Sequence, residues 1–196
     1  MGIGFSISVR SNADEMIRDM RMITSAVRDK ATVRTLNDLA AQVRTAASRE
    51  IRSAGYGMKS ARIKAGLHVY KATANSLVSR VVASGKPIPL IEFQATEKRG
   101  PSGGVYVKVL RGRKFFKGAF IQTVKNGHRG VFVRKDGKQP GKRGRQILNR
   151  QMRELFGPSL PAALANESVT RALEALVDSK FEAIFWRNVQ FYRSRA

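Results

Sequence analysis

Cysteine is absent from this 196-residue chain, which removes disulfide frameworks and thiolate-bound zinc from consideration. Histidine occurs only at His68 and His128. His68 stands in a segment read as buried or half-buried, His128 in a glycine-flanked turn, and neither has a motif that supplies a nucleophile or an orienting carboxylate. Acids are scarce: 14 Asp and Glu face 37 Lys and Arg. A metal-dependent nuclease needs converging carboxylates, yet Asp136 is the sole acid between residues 98 and 150, and Glu92 lies well upstream. The phosphate-wrapping spacing G-x-x-x-x-G-K-[ST] is also missing. Gly103, Gly104, Gly112, Gly118, Gly127 and Gly130 instead read as turn residues between strands. No run of about 18 apolar residues is present to span a membrane, and MGIGFSISVR lacks the apolar core of a secretory signal. The expectation is a soluble non-enzyme with no cofactor, no metal and no membrane partner.

What remains is a folding sequence with a large positive charge. Hydrophobic residues make up 42% of the chain, too many for a disordered basic tail, while the formal net charge is +23. The length suits one domain over residues 1–196. An excess of this size repels itself and is relieved beside a polyanion or an acidic protein surface.

The opening MGIGFS fits a short acylation pattern, but Phe5, Ile7 and Val9 alternate as one face of an N-terminal strand, and that reading is preferred. Ser11, Asn12 and Asp14 can cap a helix over about 13–28 that carries Met16, Met20, Ile23 and Val27. A second helix is expected over about 31–54, with Leu36, Leu39, Ala40, Val43, Ala46, Ala47 and Ile51 on one stripe and Gly55 and Gly57 at its end. Residues 62–84 begin like a helix and end like a strand in LVSRVVA. Prolines 87, 89 and 101 with Gly103 and Gly104 mark KPIPLIEFQATEKRGPSGG as a connecting loop.

Beyond it, Val105, Val107 and Val109 alternate with Tyr106, Lys108 and Leu110, and AFIQTV and GVFVR follow as short strands, predicting an antiparallel meander. ILNRQMRELF reads as a short helix, with Gly157 in a left-handed conformation and Pro158 forming a rigid turn after it. A terminal helix over about 168–189 aligns Val169, Leu173, Leu176, Val177, Phe181, Ile184 and Phe185. The fold class is therefore α+β: long helices packed on an antiparallel sheet, with a C-terminal helix.

The charge is unevenly spread. Residues 98–150 hold 16 Lys and Arg against one Asp, a net +15 in about a quarter of the chain. A basic hairpin and loop over 111–145 contributes Arg111, Arg113, Lys114, Lys117, Lys125, Arg129, Arg134, Lys135, Lys138, Lys142, Arg143 and Arg145. These are the candidate contacts for DNA or an acidic partner, and a solvated surface is the competing reading. No recognition helix, zinc finger or RNP pattern accompanies the charge, so contact to the nucleic-acid backbone is expected rather than sequence readout.

The order of IPLIEFQA (88–95), GGVYVKVLRG (103–112), KGAFIQTVKNGHRGVFVR (117–134) and RQMRELFGPSLP (150–161) resembles the prophage minor tail protein Z family, the lambda-type tail completion proteins. The chain departs from that pattern at Gln151 and Met152, where the family usually has proline and isoleucine. The resemblance implies a virion protein of long-tailed phages that acts late in tail assembly, at the head-proximal end. It further implies a homo-oligomeric ring, six-fold by analogy with the tail and twelve-fold as the alternative. Its partners would be tail terminator, tail tube or neck and connector proteins, with packaged double-stranded DNA in the channel. Its location would be the tail or neck of the virion, and the host cytoplasm during assembly. The rival class is a free, non-sequence-specific nucleic-acid-binding protein.

Overall fold

The structure is a computed structural model that describes residues 23–110, 112–134 and 152–195. The expected strand at 5–9 and most of the expected helix at 13–28 lie outside those residues. From its first described turn, helix α1 (Ser25–Ser53) runs without a break through Asp29 and Lys30, where the sequence reading had separated two helices. Neither glycine nor proline interrupts this stretch. Val27, Ala31, Thr35 and Leu39 recur every four residues on the buried side and continue into Val43, Ala47 and Ile51, so one stripe serves the whole helix. Gly55, at φ 98°, lies just beyond its end as anticipated.

After the short α2 (Ser60–Ala65), strands β1 (Leu67–Tyr70) and β2 (Arg80–Ala83) pair antiparallel, so the ambiguous segment is helix first and hairpin after. His68 is exposed on β1, not buried. The segment expected to be loop holds β3 (Ile88–Pro89), a 3-10 turn (Leu90–Glu92) and β4 (Thr96–Lys98). Proline is tolerated there because the β3 ladder is only two strands wide and its missing N–H interrupts no interior pairing.

The predicted meander is two sheets. Strands β4, β5 (Gly104–Lys108) and β6 (Arg113–Lys117) form the first, and β7 (Phe120–Thr123), β8 (Arg129–Arg134) and β9 (Met152–Glu154) the second. Residues 152–154, expected to be helical, are strand. Glu154 pairs with Phe132, Arg153 with Val133 and Met152 with Arg134, while Leu155 N–H donates to Val131 C=O at 2.8 Å. This long-range ladder overrides the local helical spacing.

Strand β10 (Phe156–Gly157) then pairs with β3. Gly157 is not among the positive-φ residues, which corrects the expected left-handed turn. A Cβ on Gly157 would sit 2.5 Å from Phe93 Cε2, so close packing against a buried ring is what requires glycine. Pro158 follows the strand and leads into α3 (Leu160–Leu164), which has Pro161 in its first turn.

Helix α4 (Glu167–Arg193) starts where Asn166 Oδ1 accepts from Ser168 N–H at 3.1 Å, and it outlasts its predicted end by four residues. It packs antiparallel on α1. Lys180 meets Gln42, Arg187 meets Asp38 and Asn188 meets Thr35. The helix pair and the inner faces of the sheets share one cluster of buried residues, with Ile51, Phe93, Val105, Val107, Val131, Leu164 and Leu173 at its centre. Burying each such side chain stabilises the fold by roughly 1.5–3 kcal/mol. Among the described residues no helix is long and apolar enough to cross a membrane. The α+β class holds, with several small antiparallel sheets in place of one.

Candidate functional site

Strand β6 is built from RKFFK, and pairing with β5 fixes which way each side chain turns. Arg113, Phe115 and Lys117 share one side of the sheet, and Lys114 and Phe116 the other. Phe116 packs against the core, so the Arg113 side is the outer one. All three cations of the strand are exposed.

Lys125 lies in the β7–β8 turn, where Gly127 at φ 79° makes the reversal and His128 N–H donates to Asn126 Oδ1 at 3.1 Å. Arg129 and Arg134 occupy opposite ends of β8, about 17 Å apart at the usual strand rise. Among the described residues the structure therefore does not gather the candidates into one patch. It brings Lys117 and Arg134 to a common cleft of about 660 Å3 between the two three-stranded sheets, while Lys125 and Arg129 stand at the far end of the β7–β8 hairpin. The Arg134 guanidinium lies 5.3 Å from the Phe120 ring centroid, a cation–π contact that orients it. Arg111, Lys135, Lys138, Lys142, Arg143 and Arg145 lie outside the described residues.

Lys98 and Arg99 also line that cleft, with Glu97 as its acid, and neither had been singled out in the sequence. Their signal was present as the KRG run before Pro101, but its meaning depends on β4 pairing with β5. The two turns that border the cleft are tied together: Gly118 N–H donates to Gly103 C=O at 2.9 Å, and Gly103 N–H donates to Gly100 C=O at 2.9 Å. The wall is thus hydrogen-bonded backbone.

His128 Nε2 lies 2.8 Å from Glu154 Oε1, a pair that sequence separation concealed. It has the first two members of a relay and no nucleophile in hydrogen-bond contact among the described residues. Among the described residues no three His, Asp or Glu side chains converge as a metal set. Tyr56, almost fully buried, has its hydroxyl pushed above its ordinary pKa of 10.0 by burial, opposed by the Asn166 side chain. It belongs to the core.

The family model of prophage minor tail protein Z matches residues 11–177. The chain belongs to that family. The match takes in both three-stranded sheets, the cleft between them and most of the helix pair, and it starts within the N-terminal segment before α1. Membership makes the protein a phage tail component with a structural role. Neither the curated proteins nor the solved structures contain a match to the chain. This minor tail protein Z chain is an α+β scaffold with exposed cations on its strands and turns as well as on its two long helices.

Proposed function

We propose that this minor tail protein completes the head-proximal end of the tail, supports the joining of head to tail and positions DNA in the channel. The observation that carries this beyond family membership is the unbalanced charge of the exposed β-strands. Arg113, Lys114, Lys117 and Arg129 are exposed, and among the described residues none of them forms an ion pair with a carboxylate. Such cations repel one another in the free protein and are relieved beside phosphates or an acidic neighbour. In this reading the chain works without catalysis, in a homo-oligomeric ring of six copies with tail terminator, tail tube or neck proteins as neighbours. It resides in the tail or neck of the virion after assembly in the host cytoplasm.

Replacing Arg134, Lys135, Lys138, Lys142, Arg143 and Arg145 together by glutamate tests it. The expected result is folded protein by circular dichroism and visible tails by electron microscopy, with few infectious particles and poor DNA retention at the neck. Wild-type plaque counts in low and high salt would overturn the role given to this basic segment. A protein that is missing from purified tails and binds duplex tightly as an isolated monomer would favour a free nucleic-acid-binding protein.

A further inference from the structure

Strand register builds a surface that neither composition nor sequence proximity announces. Across β4, β5 and β6, Lys98, Gly104 and Lys117 fall in one row, Thr96, Tyr106 and Phe115 in a second, and Lys108 faces Arg113 in a third. Residues in register share a face, and every second residue along a strand returns to it, so these three rows occupy one side of the sheet. The other side presents Val105 and Val107, both 0% exposed, to the core. The side with the three rows therefore faces out. It carries four cations and no acid.

At its centre the Tyr106 and Phe115 rings lie 4.7 Å apart, tilted by 40°. Phe115 is 39% exposed. Its ring covers Gly104, where an added Cβ would come within 2.6 Å of Phe115 Cζ, so the ring lies across the row between Lys98 and Lys117. At the Lys98 and Lys117 end of this face, the cleft adds Arg99 and Arg134, with Glu97 as its acid. Among the described residues none of these six cations is in an ion pair with a carboxylate.

We propose that the outer face of the β4–β5–β6 sheet binds single-stranded DNA, with unpaired bases stacked on Tyr106 and Phe115 and the phosphates held by the surrounding cations. This rests on the reading of the chain as a tail component that meets DNA, and it adds a contact with accessible bases to the one expected with the duplex in the channel. Aromatic rings within a positively charged groove are the arrangement that holds single strands without sequence preference. A duplex keeps its base faces stacked internally, so a ring on a flat sheet gains nothing from it beyond backbone contact. A protein partner is disfavoured by composition, because the centres of protein interfaces are depleted in lysine and in charge. Here two rings stand among Lys98, Lys108, Arg113 and Lys117.

The test is fluorescence anisotropy with full-length protein, a labelled oligothymidine of about 12 nucleotides and a duplex of equal length, over a range of salt. Wild type should prefer the single strand. Phe115→Leu keeps an apolar cover on Gly104 but removes the π face, and should weaken single-strand binding roughly 5-fold to 100-fold while leaving the duplex nearly unchanged. Phe115→Tyr should retain affinity. Lys98→Ala with Lys117→Ala should weaken both ligands and lower the single-strand salt slope by about 1.4, or about 0.7 for each lost phosphate contact.

The proposal fails if wild type binds neither ligand or prefers the duplex, or if Phe115→Leu leaves single-strand affinity unchanged. It also fails if polyglutamate displaces the oligonucleotide and Phe115→Leu weakens the peptide equally, which would point to an acidic protein. Should Phe115→Leu melt below wild type, Tyr106→Phe, which preserves the ring, should bind as wild type and Tyr106→Leu should not. Incorporation into tails is scored in parallel. A variant that assembles normally with unaltered single-strand affinity refutes the platform alone, whereas absence of the wild-type protein from tails refutes the tail placement alone.

Discussion

Asn188 Nδ2 donates a hydrogen bond to Thr35 Oγ1 at 3.0 Å across the antiparallel α1–α4 pair, and the two residues are 2% and 0% exposed. Asn188 also approaches Asp38 Oδ2 at 3.4 Å, which links the buried pair to the Arg187–Asp38 contact at the rim. A polar pair in an otherwise apolar helix seam favours one axial alignment, because sliding either helix leaves both groups unsatisfied. Thr35→Val alone should destabilise the protein by about 1–3 kcal/mol, since the Asn188 amide loses its better acceptor. The double change Thr35→Val with Asn188→Leu should recover much of that loss. Urea unfolding of the four proteins in the cycle measures both.

Gly157→Ala should also destabilise, by about 1–3 kcal/mol through overpacking. The added methyl group would meet the Phe93 ring, which is 0% exposed and cannot swing into solvent. Phe93→Leu in the Gly157→Ala background should recover part of the loss, whereas the same change in the wild-type background should only open a cavity. Thermal unfolding of the single and double variants would show it. Independent, additive losses would exclude this contact as the cause.

His128→Ala should leave tail assembly and plaque counts at wild-type levels. The His128–Glu154 pair is partly exposed, and such surface pairs contribute roughly 0.2–1 kcal/mol at most. Infectivity lost from a stable, normally assembled His128→Ala virion would assign the pair a role in the particle.

Stability should fall at alkaline pH through Tyr56. Its folded pKa is raised above 10.0, so the unfolded chain releases this proton first as pH rises. The contribution is fully present below the unfolded pKa and is lost as pH rises through the folded one. Tyr56→Phe cannot ionise, so the difference between wild-type and variant stability should shift in favour of the variant above about pH 10. Chemical denaturation at matched pH values on both sides of that point isolates the effect from the titration of lysines, which the two proteins share.

Regular local patterns are legible in the amino-acid order itself. The apolar stripe of α4, from Val169 to Phe185, and the alternation of Val105 and Val107 belong to single elements, and their periods of 3.6 and 2 survive folding because each element buries one face. Gly55 also ended α1 where expected. The break expected at residues 29–30 is absent because one apolar stripe runs through it. Asp29 and Lys30 point away from the buried stripe, and helical hydrogen bonding is indifferent to them.

Pairing was the part that the chain order concealed. Met152–Glu154 has a helix-like spacing, yet the β8 edge captures it from across the intervening segment. Gly157 looked like a left-handed turn, yet Phe93 from another element supplies its constraint. The same holds for function. The amino-acid order alone established a basic, cysteine-free α+β chain with its charge concentrated between residues 98 and 150, because charge and hydrophobic period are properties of local composition. Only the tertiary structure decided that Lys98 and Lys117 share a row with Gly104, that Tyr106 and Phe115 lie side by side among cations, and that Arg134 and Lys117 line one cleft while Arg129 stands outside it. Side chains distant in sequence become neighbours through strand register, and a shift of one residue would have turned every one of them to the opposite face.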